Sequence, residues 1–133
     1  NTFFGDSSLT SIVIHDGVTQ LPNGTFYGCQ LTAVVLPDGL TLIGNGAFYG
    51  NELTTVSIPS TVTRIEENAF ANNSSLDTVS VYAVTPPYLD YGSYNIFYGH
   101  TPSVIYVPAV SVTAYKTAAG WSDYAAVIQA GSW

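Results

Sequence analysis

A period of 22 residues constrains this chain more than any other feature: Leu9, Leu31, Leu53 and Leu76 stand 22, 22 and 23 residues apart. The agreement continues inside each unit. From each of the first three leucines, apolar residues recur at offsets +3, +5, +9, +12 and +17, giving Ile12, Ile14, Val18, Leu21 and Phe26 in the first unit, Val34, Leu36, Leu40, Ile43 and Phe48 in the second, and Val56, Ile58, Val62, Ile65 and Phe70 in the third. With 47% apolar residues, all eighteen positions would fill by chance on the order of once in a million trials. A unit of this size cannot bury its own apolar set, so the units must stack on one another and share a continuous core.

The alternation at +3 and +5 is the period of a strand, with +2 and +4 pointing outward. Pro37 and Pro59 at +6 stop that strand, and Asp16-Gly17, Asp38-Gly39 and Ser60-Thr61 supply the turn that follows. The second half of each unit is more loosely spaced and has Gly24, Gly44 and Gly46 nearby, which predicts extended or single-turn structure in place of a full helix. A fourth unit begins with Leu76, Val79 and Val81, but its phenylalanine is Phe97, four residues late. A fifth begins at Pro102 with Ile105, Val107 and Pro108, and its strand is expected to be the last. Phe4 stands five residues before Leu9, as Phe26 does before Leu31, so the chain opens on the tail of a further unit and a longer natural chain is expected.

The pattern Leu-x-x-Val-x-Ile-Pro-x-x-Val-x-x-Ile-x-x-x-Ala-Phe, running from Leu53 to Phe70 and repeated nearly intact from Leu31 to Phe48, resembles the BspA-like class of leucine-rich repeat. The resemblance covers about residues 4 to 108. It implies a mainly β solenoid, a right-handed superhelix of short parallel strands. Such repeats often carry a cysteine three residues after the phenylalanine; Cys29 fits, and Asn51, Asn73 and His100 take its place in later units. The segment from Val107-Pro to Tyr115-Lys116 and Gly120-Trp121 resembles the closing segment of such arrays in secreted gut and oral bacterial proteins. The family is associated with adhesion to host matrix proteins and other cells. An extracellular or cell-surface bacterial location is therefore implied.

These readings divide the chain into repeats over 1–108, with units starting near 9, 31, 53, 76 and 102 and an insertion at about 82–96, and a C-terminal cap over 109–133. Ser111 suits an N-cap, Val112 to Ala119 two helical turns, and Gly120 the C′ position. Trp121, Tyr124, Val127, Ile128 and Trp133 then form an apolar cluster over the open end of the last coil, as a solenoid requires.

Composition removes whole classes of partner. Arg64 and Lys116 face nine acidic residues, for a net charge of −7, so no face carries the basic footprint needed for nucleic acid or an anionic membrane. No apolar run reaches the roughly 18 residues of a membrane span. Cys29, the one cysteine, permits no internal disulfide. His15 sits at a strand end, and His100 shares the ladder of Cys29, Asn51 and Asn73, where polar groups satisfy turn backbone. No nucleophile, base and supporting carboxylate form a recognisable motif around them. Cys29 has no basic neighbour in sequence to lower its pKa. Glu66 and Glu67 are adjacent, so their side chains diverge and do not form a glycosidase pair. Asp16 and Asp38 are stacked by the repeat and could share Ca²⁺ with turn carbonyls, but Ser60 breaks the series. Asn23-Gly-Thr25 and Asn72-Asn-Ser74 match glycosylation acceptors, idle in a bacterium. No catalytic residue, cofactor or metal is expected.

Two surfaces remain as binding candidates. One is the concave strand strip, with Val13, Val35, Thr55, Ser57, Thr78, Ser80 and Tyr106 among its outward residues, smooth and uncharged. The other is the run Tyr82, Tyr88, Tyr91, Tyr94 and Tyr98, half of the ten tyrosines, placed around the insertion where loops carry function. Tyrosine offers large contact area at small entropic cost, and it stacks on sugar rings. The chain is thus read as a monomeric, non-enzymatic binding module. Its partner would be a host matrix or cell-surface protein or, through the tyrosines, a glycan; the other reading is a spacer presenting another domain. Coplanar tyrosines beside Asp90 or Asn95 would favour sugar, and tyrosines spread singly would favour the spacer.

Overall fold

A computed structural model of the chain describes residues 5–6, 8–90 and 96–133. Its strands, in chain order, are β1 (Ser11–Val13), β2 (Gln20–Leu21), β3 (Ala33–Val35), β4 (Leu42–Ile43), β5 (Thr55–Ile58), β6 (Arg64–Ile65), β7 (Thr78–Val81), β8 (Tyr88–Leu89) and β9 (Val104–Val107). A short helix α1 (Val112–Thr117), a 3₁₀ segment (Trp121–Val127) and β10 (Ile128–Ala130) follow. Every pairing is parallel. β1 pairs with β3, and β5, β7, β9 and β10 form a four-stranded sheet in that order on the same face. On the opposite face the two-residue strands β2, β4, β6 and β8 form a second ladder. The second half of each unit is therefore extended, as expected, and the molecule is a mainly β solenoid of stacked coils.

Register follows the repeat. Val56 is opposite Val79, Val79 opposite Ile105 and Ile105 opposite Ile128, so a single inward row runs through four strands. Phe26, Phe48, Phe70 and Phe97 form a buried column with ring centroids 5.4, 5.4 and 6.1 Å apart. Beside it Tyr27 and Tyr49 stack at 4.6 Å, and the Tyr49 hydroxyl accepts a bond from Asn72 Nδ2 at 2.6 Å. The tight turn before Phe26, Phe48 and Phe70 puts Gly24, Gly46 and Asn68 at φ of 62° to 65°, where glycine and asparagine sit with little strain.

The polar ladder works between coils. Asn51 Oδ1 accepts the Leu31 N–H at 2.8 Å, and its Nδ2 donates to the Phe26 and Phe48 carbonyls at 2.8 and 3.0 Å. Asn73 repeats this one coil later, with Leu53 N–H, Phe48 O and Phe70 O. Each side chain ties two coils together at a point where the backbone turns away from its own ladder. Cys29 occupies the same place fully buried, with Sγ 3.8 Å from the Tyr27 carbonyl. His100 is exposed and its Nε2 lies 3.1 Å from the Leu76 carbonyl, which can only accept, so Nε2 carries the proton.

The C-terminal segment departs from expectation in four respects. β9 is not the last strand, because β10 adds to its far side. The helix ends at Thr117 instead of Ala119. Ser111 stands at the N-cap position but makes no capping bond; its hydroxyl donates to Val84 O at 2.6 Å. Trp133 lies outside the apolar cluster, which Trp121, Tyr124 and Ile128 form with Tyr115. Tyr115 OH donates to Ala83 O at 2.6 Å, and Trp121 Nε1 to Pro87 O at 2.9 Å. Three cap side chains thus satisfy carbonyls of the 83–87 segment, which runs outside both ladders. Burial pushes the phenols of Tyr115 and Tyr124 well above their usual range, so both stay neutral in the core.

Phe48→Ala leaves a cavity between two stacked rings and is expected to cost about 3 to 5 kcal/mol by urea denaturation. A loss below about 1 kcal/mol would mean that the column is not internal. Asn73→Ala removes almost no apolar surface yet orphans the Leu53 N–H and the Phe70 carbonyl, while Phe48 O keeps Asn51, so a cost of about 2 to 3 kcal/mol is expected in the same assay, against under about 0.5 for exposed Ser74→Ala.

Candidate functional site

Alternation along the strands places the expected strip on the surface. Val13 and Val35 are 72% and 56% exposed, Thr55 and Ser57 are exposed, and Thr78, Ser80 and Tyr106 are half-buried. Burial increases toward the C-terminal end because β10 and the residues beyond it rise beside β9. Cross-strand pairing runs Ser57, Ser80, Tyr106, Gln129 through the four-stranded sheet, so Tyr106 is flanked on both sides along one row.

The tyrosine run does not form one surface. Tyr88 is a strand residue of β8, opposite Arg64 in β6, and Leu89 is opposite Ile65. One inserted residue therefore precedes the second strand of this unit, and three lie between Leu89 and Phe97. The Arg64 guanidinium carbon lies 5.2 Å from the Tyr88 ring centroid, with Nη2 2.8 Å from Asp90 Oδ1 and Nε 3.6 Å from Glu66 Oε2. This exposed clamp is worth about 1 kcal/mol or less. Tyr98 continues the column of Tyr27 and Tyr49, one residue after each phenylalanine, with Ala71 interrupting. Tyr91, Tyr94 and Asn95 lie outside the described residues. The three placed tyrosines of the run stand at separate corners of the coil, and Tyr88 is the one near Asp90.

Tyr82 goes elsewhere. It occupies +6, where Pro37, Pro59 and Pro108 end the other strands, and its ring extends the strand face sideways. Its centroid is 4.4 Å from that of Trp133, with the rings tilted by 42°. Trp133 lies over Gly131, where a Cβ would fall inside the indole, and Gly131 N–H donates to Val107 O at 2.8 Å, extending the β10 ladder by one bond. Together Thr78, Ser80, Tyr82, Tyr106, Ser132 and Trp133 line a groove of about 360 Å³ at the end of the strip. It contains rings and hydroxyls and no charged side chain. Sequence reasoning missed this assembly, because it assigned Trp133 to the cap and ended the sheet at β9; the small residues of Ala130-Gly131-Ser132 before the tryptophan were the available signal.

The histidines and the cysteine weighed for chemistry contact turn backbone. His15 is exposed and its Nδ1 accepts the Gly17 N–H at 3.1 Å, bracing the turn after β1. Among the described residues, no three His, Cys, Asp or Glu side chains converge to hold a metal. No helix among them is long and apolar enough to cross a membrane.

Gly131→Ala is expected to lift the indole off its seat while leaving stability within about 1 kcal/mol, since Gly131 is not in the left-handed region. Near-ultraviolet circular dichroism would show it as loss of the signal from the Tyr82–Trp133 pair. An unchanged spectrum would place Trp133 elsewhere.

A model of the BspA type leucine-rich repeat region matches residues 1–118 in six copies. Among solved structures, the chain is similar to a leucine-rich cell surface protein from Faecalibacterium prausnitzii A2-165, at 24% identity and a TM-score of 0.59. The match covers 82% of this chain and 38% of that one, so the chain spans well under half the length of its structural relative. Comparison with curated proteins returns no significant match.

Proposed function

The chain belongs to the BspA-type leucine-rich repeat family, and from that premise we propose that it is a non-enzymatic binding module, displayed outside a bacterial cell, that holds a protein partner along its strand face. The observation that supports this most is the strip itself: outward rows of small uncharged side chains on a face braced by parallel ladders, exposing Val13 and Val35 and ending in aromatic rings. A rigid face of this kind loses little conformational entropy when a partner lies on it. The aromatic end supplies the residue types that carry most interface energy. The one arginine is engaged at its clamp on the opposite face, which leaves shape and hydroxyls to set selectivity on the strip. Host matrix proteins or proteins of another bacterial surface are the partner class.

The test is binding of the chain to immobilised matrix and bacterial surface proteins, comparing wild type with Val35→Arg combined with Ser57→Arg. Both sites are exposed, so the fold should tolerate the change within about 1 kcal/mol. Affinity for any captured protein should fall at least tenfold, or about 1.4 kcal/mol. Equal binding by the double variant would remove the strip from the interface.

A further inference from the structure

We infer that the groove between Tyr82, Tyr106 and Trp133 is a subsite for a neutral sugar ring. The inference rests on the strand face being the binding surface of the module, and it names the chemistry that its C-terminal end recognises.

Three observations converge on that ligand. First, the rings are accessible: Tyr82 is 37% exposed and Trp133 53%, and their planes are tilted by 42° at the groove. The negative face of a ring attracts the weakly positive C–H bonds on one side of a pyranose, as it attracts the edge of another aromatic ring. Second, the groove is lined by hydroxyls free to act. Among the described residues the Ser80, Tyr82, Tyr106 and Ser132 hydroxyls make no hydrogen bond to protein, whereas Thr78 Oγ1 donates to Asp77 Oδ2 at 3.2 Å. Each free hydroxyl can both donate and accept, which suits the hydroxyls that rim a sugar. Third, the charges exclude the acidic alternatives. Arg64 is clamped on the opposite face, Lys116 projects from α1, and the net charge is −7, so a sialylated or sulfated sugar meets no cation and a repulsive field. A peptide is matched less well across this face, since β7 and β9 are paired on both sides and the sheet's hydrogen bonds run in its own plane, so none of these backbone groups reaches out over the groove. A volume of about 360 Å³ falls at the small end of ligand pockets, which suits one or two sugar rings.

The two tryptophans give a direct readout. Trp121 is wholly buried and Trp133 is half exposed, so the red edge of the emission, accessible to acrylamide, reports on Trp133. The intact chain is titrated with neutral tetrasaccharides of glucose, mannose, galactose and N-acetylglucosamine, and with sialyllactose as the acidic counterpart. At least one neutral tetrasaccharide should shift that emission and protect it from acrylamide. By calorimetry, Trp133→Ala and Tyr106→Ala should each weaken its binding at least tenfold, and Arg64→Gln should leave it unchanged. Absence of binding by all four neutral sugars at 10 mM or below, tighter binding of sialyllactose, or wild-type affinity in Trp133→Ala would each overturn the inference. A Val13→Arg, Val35→Arg variant, altered on β1 and β3 away from the groove, separates the two readings. It should lose protein capture and keep sugar binding, whereas a protein-binding chain that ignores every neutral sugar would refute the subsite alone.

Discussion

Asparagine at the inner corner of two successive coils does what no backbone group can do there. Where a coil leaves one ladder for the other, most backbone groups still bond to the next coil, but among the described residues the Leu31 and Leu53 N–H groups and the Phe48 and Phe70 carbonyls have no backbone partner, and burying them unpaired would cost about 1 to 3 kcal/mol each. Asn51 and Asn73 span that gap by binding a donor in one coil and acceptors in two. This lets the backbone turn inside a dry core, and the phenylalanine column and both parallel ladders then keep one register from coil to coil. Cohesion is thus spread along the axis. Each coil depends on its two neighbours, which is why the end of the stack needs separate treatment.

At the C-terminal end that treatment is a cap that pairs with the last strand and also grips the irregular segment before β8. Ser111, Tyr115 and Trp121 donate to Val84, Ala83 and Pro87. These three carbonyls lie where the fourth unit carries its one extra residue before β8, so that part of the departure and the cap are two sides of one contact. The extra length around Pro86-Pro87 therefore has a structural role of its own. The same arrangement creates the candidate groove, because β10 carries the chain past β9 and turns Trp133 back over Gly131 onto Tyr82.

Much of this was legible in the sequence. The period, the inward positions, the phenylalanine column and the asparagine ladder all follow from residues recurring at fixed offsets, and a parallel stack converts fixed offsets into fixed neighbours. Reading was weakest where repetition stops. Tyr88 looked like part of an insertion because Phe97 comes late, yet the strand register puts Tyr88 beside Arg64 and moves most of the extra residues past Leu89. Ser111 looked like a helix cap because its local sequence suits one, but a carbonyl 27 residues earlier takes its hydroxyl.

Sequence alone therefore determined the architecture, since a unit too small to fold by itself has one way to bury its apolar stripe, against a copy of itself, and the copies are written in the chain. It also determined the uncharged character of the strand face, which follows from strict alternation. The tertiary structure decided where the aromatic groove lies. Tyr82, Tyr106 and Trp133 are 24 and 27 residues apart and share no period. Their meeting depends on β10 joining the sheet and on Gly131 leaving room for an indole, and both are facts of packing between segments that no local pattern encodes.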